Sequence, residues 1–283
     1  ELRARIEAGL ALGELGDPRF EIKAGAHGQY RLPPVIEIPA GTHTLGTDDG
    51  DRNEIIHQVE LPSFHIAQFP VTNAEWADFM RSGGYEEPRW WVGEKATAWR
   101  EGKLADEEGI RYWRQLRQDL QDDFEKTVKQ RNFTAAYIEE LKEIFLAWTE
   151  SQFEDWLAKN FNAQIRRQPE FWDDLAINNP NQPVVGISWY EAQAYCEWLS
   201  EQSGTRWRLP SEAEWEVTAR QQGLDVGIHE IEDRAVHTVN TEELHLRRSS
   251  PIGVFATEGQ NTVADMLGNV WEWCATGYRD DPR

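Results

Sequence analysis

Two carboxylates near the end of the sequence have types and a spacing that suit a metal ion. Asp265 and Glu272 stand at either end of the string DMLGNVWE, with Gly268 and Val270 between them. Carboxylate oxygens are ligands of hard cations such as Ca²⁺, and the two groups could share one ion. The alternative is that Glu272 is a buried carboxylate held by an arginine or by backbone N–H groups, because the WEW tripeptide around it is predicted to lie in a core strand.

Cysteine offers a different chemistry, and the sequence has two cysteines, Cys196 and Cys274. Each lies in an apolar string, where a buried free thiol is the ordinary outcome. Two cysteines are too few for a disulfide scaffold, so they favour a reducing, cytoplasmic compartment, and a bond between them stays open. They give only weak support for a copper site.

The seven histidines are scattered and include no His-x3-His pair. His237 and His245 would meet only through a tertiary contact, so a histidine metal site is not predicted. The sequence also lacks a nucleophile-elbow motif for a Ser-His-Asp triad and a Gly-rich phosphate loop. Nucleotide binding is therefore not expected.

Composition and charge narrow the class of protein. The chain has 283 residues, 40% of them hydrophobic, and its 14 tryptophans help to make a large core possible in one or two domains. The formal net charge of -21 repels nucleic-acid phosphates and anionic membranes, so neither is an expected partner. No apolar run is long enough to span a bilayer. A cationic ligand or a basic protein surface is compatible with this charge.

These candidate groups must be positioned by helices whose starts are visible in the sequence. Ser188 has the position of an N-cap for a helix over Trp189 to Glu201, which carries an apolar stripe at i, i+3, i+4 and i+7. Ser211 and Glu214 have capping-box spacing at the start of another helix. A third helix, capped around Thr72, is predicted over Asn73 to Gly83.

The rest of the chain divides into three further parts. Residues 1–20 are predicted to contain one helix that is ended by Gly16-Asp17-Pro18. It resembles a HEAT-type fragment, and the alternative is a helical cap on a free-standing domain. Short β-type runs alternate with turns over residues 35–80. Residues 104–165 are poor in glycine and have apolar residues at helical spacings, which predicts a helical insertion. The tryptophans that flank this insertion are interpreted as core residues rather than as the wall of a ligand pocket: Trp90, Trp91, Trp99 and Trp172.

Four strings occur together and in order: IPAGTHTLG, PVTNAEW, PVVGISWYEAQAYC and LGNVWEW. They resemble the formylglycine-generating-enzyme (sulfatase-modifying factor) family, whose relatives include ergothioneine-pathway sulfoxide synthases and the variable proteins of diversity-generating retroelements. The resemblance implies an α+β fold of the modified C-type-lectin kind. It would cover residues 35–283, be C-terminally incomplete, and hold the helical insertion at 104–165.

The resemblance also implies roles for individual residues. In the family's calcium loop, Asp265 and Glu272 would supply side-chain oxygens to Ca²⁺, and Gly268 and Val270 would supply backbone carbonyls. Asn240 fits the first position of the family's other calcium site. The remaining ligands of that site do not align with this sequence.

Catalysis in the family uses a cysteine pair that binds Cu(I) downstream of LGNVWEW, and Cys196 and Cys274 are not its counterparts. A loop that often helps to form the substrate groove is replaced here by residues 221–229. We therefore expect a calcium-stabilised recognition module of a larger bacterial multidomain protein, which binds a protein or peptide ligand and contacts other domains of its parent polypeptide. The alternative is an oxygen-dependent, formylglycine-generating-type oxidase of a cysteine-containing peptide, with Cu bound by catalytic cysteines beyond residue 283.

Overall fold

A computed structural model of the chain describes residues 2–46, 56–131, 138, 141–161, 164–221, 239–241, 246–255 and 262–276. The chain divides into two compact units, one made of Glu1–Trp91 and Arg167–Arg283 and the other of Val92–Arg166. The segment predicted as a helical insertion, 104–165, lies within the second unit. Across the described ranges, no helix is both long enough and apolar enough to cross a bilayer.

Helices and short strands alternate along the described residues, as an α+β fold requires. The larger unit begins with α1 (Leu2–Leu15), β1 (Glu21–Gly25), β2 (Gly28–Leu32), β3 (Val35–Ile38), β4 (Gly41–Leu45), β5 (His57–Leu61), β6 (Phe64–Ala67), α2 (Asn73–Arg81) and a 3-10 turn (Pro88–Trp90). The second unit contains α3 (Glu94–Arg100), α4 (Glu107–Asp122), α5 (Phe124–Arg131), a π-helical turn (Lys142–Ala147) and α6 (Glu150–Phe161). The larger unit resumes with α7 (Trp189–Ser203) and α8 (Glu212–Gln221).

The described strands form three antiparallel pairs: β1 with β2, β3 with β6, and β4 with β5. Each pair is only four or five residues long, and successive side chains point to opposite faces. The inward faces of the β3–β6 and β4–β5 pairs meet helix α8, where Ile38, Leu45 and Val217 are buried together. These strands therefore depend on helix packing for their stability.

The helix starts lie where the sequence places their caps. The Thr72 hydroxyl accepts a hydrogen bond from the Glu75 N–H at 3.3 Å, and Glu75 Oε2 accepts one from the Thr72 N–H at 2.8 Å. Such reciprocal bonds satisfy donors that the first turn of a helix leaves free. The same pattern occurs at Ser188 and Glu191 for α7, and at Ser211 and Glu214 for α8.

The helix ends differ slightly from the predicted ones. Helix α2 ends at Arg81 rather than at Gly83, and α7 continues to Ser203 rather than ending at Glu201. Gly204 follows α7 in the left-handed conformation, with φ at 70°, which glycine adopts without steric cost.

An aromatic cluster joins α2 to α7 in the larger unit. Trp76 stacks on Tyr195 with ring centroids 5.3 Å apart and meets Phe79 edge-on at 5.2 Å. Trp198 packs edge-on against Phe79, and these four aromatic side chains are buried. Flat rings packed in offset and edge-on pairs stabilise a core beyond the area they bury. Of the four tryptophans predicted to be core residues, Trp90, Trp91 and Trp99 are buried and Trp172 is half-buried.

Helix α1 packs closely on the body of the larger unit through two glycines. A Cβ added at Gly9 would lie 2.8 Å from the Pro251 side chain, and one at Gly13 would lie 2.4 Å from the Asn179 side chain. The Asn179 amide also donates to the Leu10 carbonyl at 3.1 Å, and the Asn181 amide donates to Gly9. Helix α1 ends at Leu15 and Gly16 follows with φ at 90°, so the helix stops where Gly16-Asp17-Pro18 predicts.

The described part of the second unit contains an apolar core, and the Arg117 side chain is buried beside it. Side chains from α4, α6 and the π-helical turn form the core: Leu116, Leu120, Leu141, Phe145, Phe153 and Leu157. The Arg117 guanidinium lies over the Phe153 ring at 4.3 Å and donates to the carbonyls of Phe145 and Trp148. This cation therefore supplies hydrogen bonds to backbone oxygens at the π-helical turn.

Candidate metal centre

The segment from Asp265 to Glu272 forms a loop with an unusual backbone. Asp265, Gly268 and Asn269 have φ angles of 59°, 75° and 63°, all in the left-handed region. Glycine, asparagine and aspartate are the residues that enter this region most readily. At Gly268 a side chain is also excluded by space, because a Cβ there would lie 2.6 Å from the Asn240 carbonyl oxygen.

Asp265 is a buried carboxylate with an unused oxygen. The Gly253 N–H and the Asn269 side chain lie near the carboxylate and act to lower its pKa. Its Oδ2 atom is buried and has no hydrogen-bond partner. Burial raises the pKa of Asp265 to about 6, because removing water disfavours the charged form. A buried acceptor left without a donor is costly, and a cation would satisfy it.

Glu272 lies at the other end of the loop with its carboxylate withdrawn from water. The indole Nε1 of Trp215 donates to Glu272 Oε2 at 2.6 Å. Burial raises the pKa of Glu272 to about 7, and the negative charge of Asp265 raises it further. The two carboxylates are therefore close enough to repel each other, and a shared cation would relieve that repulsion.

Asn240 is brought to the same loop by the backbone of Asn269. The Asn269 N–H donates to the Asn240 carbonyl at 2.8 Å, and the Asn240 amide donates to Asn269 Oδ1 at 3.1 Å and to the Arg248 carbonyl at 3.0 Å. Asn240 thus contacts the loop that contains Asp265. This contact adjoins the Gly268 carbonyl, which accepts a hydrogen bond from the Val270 N–H at 2.8 Å.

The donor set at this loop fits a hard cation better than a soft one. Within the described ranges, no group of three or more histidine, cysteine, aspartate or glutamate side chains is placed to hold a metal ion. An ion here would have to complete its shell with backbone oxygens and water, as Ca²⁺ commonly does. A carbonyl oxygen has two lone pairs, so Gly268 can accept the Val270 N–H and still face a cation.

Comparison with known proteins places this loop and the capped helices in a defined family. The Sulfatase-modifying factor enzyme 1-like domain matches residues 23–283, nearly the whole chain. The chain belongs to this family. The prediction of formylglycine-generating-enzyme family membership is therefore confirmed, and so is the α+β fold expected from it.

Relatives within the sulfatase-modifying-factor family differ in their activities. The formylglycine-generating enzyme of Bos taurus is 27% identical over 260 residues, which are 85% of this chain and 58% of that enzyme. The hercynine oxygenase of Mycolicibacterium smegmatis is 26% identical over 261 residues, 87% of this chain and 46% of the oxygenase. The inactive C-alpha-formylglycine-generating enzyme 2 of Bos taurus is 26% identical over 260 residues, 87% and 71% of the two chains. The chain spans about half the length of the two enzymes.

Both thiols of this family member lie in surroundings that disfavour the thiolate. Cys196 and Cys274 are free and half-buried. Burial raises the pKa of Cys196 to about 12 and that of Cys274 to about 11. Because the thiolate is the nucleophile, the raised pKa values make both cysteines less nucleophilic near neutral pH than an ordinary exposed thiol.

The prediction that WEW lies in a core strand is wrong. Residues 271–273 form no strand, Trp271 is fully exposed and Trp273 is 49% exposed. The segment is held at the surface by indole groups instead of a strand partner: Trp273 Nε1 donates to the Ile187 carbonyl at 3.0 Å, and Trp189 Nε1 donates to the Cys274 carbonyl at 2.9 Å. Only the Glu272 carboxylate turns inward, toward Trp215.

Two residues that matter at the loop were missed in the sequence. Asn269 contacts Asn240 and Trp215 contacts Glu272, and neither Asn269 nor Trp215 is among the predicted site residues. The Gly-Asn pair in LGNVWEW was the available signal for Asn269, because asparagine after glycine is typical of left-handed turns. The groove-loop replacement at 222–229 and the histidines at positions 237 and 245 lie outside the described residues.

Proposed function

We propose that this chain is the body of an oxygen-dependent oxidoreductase of the formylglycine-generating type, which acts on a cysteine-containing peptide. The observation that carries the proposal is the alignment of more than four-fifths of the chain with enzymes of two activities, one formylglycine-generating and one an oxygenase. One scaffold can carry different activities, so the proposal takes its reaction class from these two enzymes and its substrate class from the formylglycine-generating one.

The loop from Asp265 to Glu272 is proposed to hold Ca²⁺ as a structural ion. Asp265 and Glu272 would hold it with carboxylate oxygens, and Gly268 and Val270 with backbone carbonyls. A bound Ca²⁺ would neutralise two carboxylates that otherwise repel each other in a desolvated site. The resemblance assigns Asn240 to the family's other calcium site, so Asn240 is not proposed as a ligand of this ion. The ion would fix the segment that leads to the exposed Trp271.

Cys196 and Cys274 have no part in the proposed oxidation. Their burial and raised pKa values support a packing role for both thiols. A copper-binding pair would therefore come from residues of the protein other than these two. Two free thiols also support a reducing compartment such as the cytoplasm.

The experiment that tests the oxidase proposal uses the protein at its natural full length. The protein is loaded with Cu(I) and mixed with a cysteine-containing peptide in air-saturated buffer. We expect oxygen uptake and conversion of the cysteine to an aldehyde, read by mass spectrometry after trapping with a hydrazide. An anoxic sample and a peptide with serine in place of cysteine are the controls. If the cysteine peptide in air keeps its starting mass, as the peptides in the two controls should, the proposal is rejected.

Calcium is tested separately by thermal unfolding of the 283-residue chain. Binding at one hundred times Kd stabilises a folded state by about 2.7 kcal/mol. We therefore expect a midpoint roughly 5–10 °C higher in Ca²⁺ than in EGTA. Asp265→Asn should abolish the shift, while Glu107→Gln, an exposed change on α4, should keep it. Equal midpoints for the unaltered chain in Ca²⁺ and EGTA would reject the calcium site.

A second candidate function is a recognition module that binds a protein or peptide ligand. The specific observation in its favour is the similarity to an inactive member of the family, together with the raised pKa values of the two thiols. In this case the other domains of the parent polypeptide would act on what the module binds. The oxidase assay separates the two candidates, because a recognition module would retain binding of the peptide without consuming oxygen.

A further inference from the structure

We propose that a cavity beside the β1–β2 hairpin binds a single carboxylate group that is attached to an apolar body. The cavity has a volume of about 350 Å³ and lies between the hairpin and the end of helix α2. Two cations line it, Arg31 of β2 and Arg81 of α2. Its lining residues are separate from the Asp265–Glu272 loop, so the proposal stands independently of the calcium site and of the oxidase.

The two cations share one carboxylate, that of Asp78. Arg31 Nη1 donates to Asp78 Oδ2 at 2.7 Å, the Arg31 N–H donates to the same oxygen at 3.1 Å, and Arg81 Nη2 donates to Asp78 Oδ1. The Asp78 side chain is only 4% exposed, so these bonds hold its charge in place. Two guanidinium groups beside one carboxylate leave a positive charge in excess, in a chain whose formal net charge is -21. The cavity therefore has a charge opposite to that of the whole chain.

Arg31 and Arg81 keep N–H groups for a ligand. Arg31 Nη1 also donates to the Ala74 carbonyl at 3.3 Å, but Arg31 Nε and Nη2 have no hydrogen-bond partner among the described residues. These two nitrogens form one edge of the guanidinium, which can bind both oxygens of a carboxylate. The Arg81 side chain is 65% exposed, so its remaining N–H groups are accessible. A carboxylate in the cavity would therefore gain charge-assisted hydrogen bonds.

The hairpin side of the cavity is fixed by α7 and is partly apolar. The His27 N–H donates to Gln202 Oε1 at 2.9 Å, and the His27 ring contacts Glu201 Oε1 at 2.8 Å. Glu201 is also paired with Arg89, so this group adds no excess charge to the cavity. Ile22 lines the same cavity and is 61% exposed. Its side chain offers an apolar surface to the body of a ligand.

The end of α2 is a weaker obstacle to an anion than a bare helix terminus. The last carbonyls of a helix carry partial negative charge and repel anions. At α2, the carbonyls of residues 78–80 accept hydrogen bonds from the N–H groups of residues 82–84. Arg81 in the last turn offsets the remaining partial charge.

A monocarboxylate matches the cavity better than a phosphate ester does. One carboxylate cancels the positive charge in excess, whereas a phosphate group carries about -1.5 to -2 at neutral pH and would leave negative charge beside Asp78. Arg31 and Arg81 also line a neighbouring cavity of about 480 Å³, but Glu14 lines that cavity too. Glu14 would repel an anion there, which favours the cavity beside the hairpin.

The test titrates the 283-residue chain with isovalerate, a branched monocarboxylate, and follows backbone amide signals by NMR. We expect a Kd on the order of 1 mM, with the largest shifts at Gly28, Gln29 and Ser82. Isovaleramide, which has the same shape without the charge, should bind at least roughly 10-fold more weakly. Arg81→Gln should weaken isovalerate binding roughly 10-fold and leave Asp78 paired with Arg31. The same spectra show whether each variant is folded.

Arg3→Gln is the matched control, because it removes the same charge from an exposed pair with Glu7 on α1, outside the cavity. It should bind isovalerate as the unaltered chain does. A tripeptide ending in valine, compared with its C-terminal amide, separates a chain end from a small acid as the source of the carboxylate, and either preference supports the site.

Three results would overturn the proposal. The first is that isovalerate shifts none of the cavity amides, or shifts them no more than isovaleramide does. The second is that Arg81→Gln binds isovalerate as tightly as Arg3→Gln. The third is that inorganic phosphate binds at these amides more tightly than isovalerate, because the cavity would then not be matched to a single negative charge.

Discussion

The Tyr85 hydroxyl donates to Glu191 Oε1 across a distance of 2.6 Å in the buried part of the larger unit. Glu191 is also the capping carboxylate of α7, where its Oε2 accepts from the Ser188 N–H. A matching contact runs the other way, because Tyr195 of α7 donates to Glu75, the capping carboxylate of α2. The start of α7 is therefore bonded to Tyr85, which follows α2, and the start of α2 is bonded to Tyr195 of α7.

Substitution of Tyr85 by phenylalanine should destabilise the larger unit. The ring would still fill its place, but the Glu191 carboxylate would lose a donor in a buried site. We expect a loss of about 1–3 kcal/mol in the free energy of unfolding, measured by urea titration. Tyr112→Phe is the control, because Tyr112 is 46% exposed, and its cost should stay within about 0.5 kcal/mol. Equal costs for the two variants would contradict the role of the buried bond.

Glu75 should make stability fall as the pH rises. Burial raises the pKa of Glu75 from its ordinary value of 4.5 to about 7, with Asp78 adding to the rise and hydrogen bonds from Thr72 and Tyr195 opposing it. Between these values the folded state holds a proton that the unfolded state releases, so raising the pH favours unfolding. The contribution of Glu75 is up to roughly 3 kcal/mol across this window.

Glu75→Gln should remove that part of the pH dependence, because glutamine carries no titratable proton. Urea unfolding of the chain in EGTA, at several pH values from about 4.5 to about 7, measures the slope. Glu107→Gln, which removes a charge from the exposed first turn of α4, should leave the slope as it is. A slope that survives Glu75→Gln unchanged would show that Glu75 is already ionised at the lower end of this range.

Gly268→Ala should be more damaging than Gly204→Ala, although both glycines have positive φ angles of similar size. A Cβ at Gly204 meets open space, so that variant reports the conformational cost alone, about 1–2 kcal/mol. A Cβ at Gly268 would also collide with the Asn240 backbone. We expect a clearly larger loss of thermal stability and loss of Ca²⁺ binding for Gly268→Ala. Equal melting temperatures for the two variants would mean that the loop around Gly268 accommodates the added Cβ without cost.

Arg117→Met should loosen the second unit without unfolding the larger one. The carbonyls of Phe145 and Trp148 would lose a charged donor inside an apolar core, at a cost of about 2–4 kcal/mol. Hydrogen exchange should speed up at amides of α4 and α6 and stay slow in α2 and α7. The control is Arg114→Met on the same helix. Arg114 forms an exposed ion pair with Glu154, so its loss should not speed up exchange. Uniformly faster exchange in both units would contradict the division of the chain.

The helix starts could be predicted because the residues that cause them are close together in the sequence. A serine or threonine followed three residues later by glutamate indicates a helix start on its own, and the starts at Thr72, Ser188 and Ser211 are observed where predicted. The WEW tripeptide was misplaced because two tryptophans suggest burial, whereas the indole of Trp271 lies in solvent. Burial of a side chain depends on what packs over it, which periodicity over three residues does not report.

The side chain of Asn269 contacts residues that are distant from it in sequence. Its partners Ser250 and Asn240 are 19 and 29 residues away, and no spacing rule links them. The carboxylates Asp265 and Glu272 could be selected as candidates from their types, but the unpartnered oxygen of Asp265 appears only when Gly253 and Asn269 are placed beside it. A predicted ligand set therefore gives the chemistry of a site but does not reveal the neighbouring residues that contact the ligands.

The close fit of Gly9 against Pro251 has a practical consequence for anyone who shortens this protein. The family match begins at residue 23, which would suggest that α1 can be removed. Yet Ile6 of α1 is buried with Val254 and Phe255, in the same short segment whose Ser250 N–H donates to Asn269 of the Asp265–Glu272 loop. Deleting α1 would uncover that apolar surface and take away the backing of the loop. The smallest intact unit of this protein is therefore larger than its homology boundary.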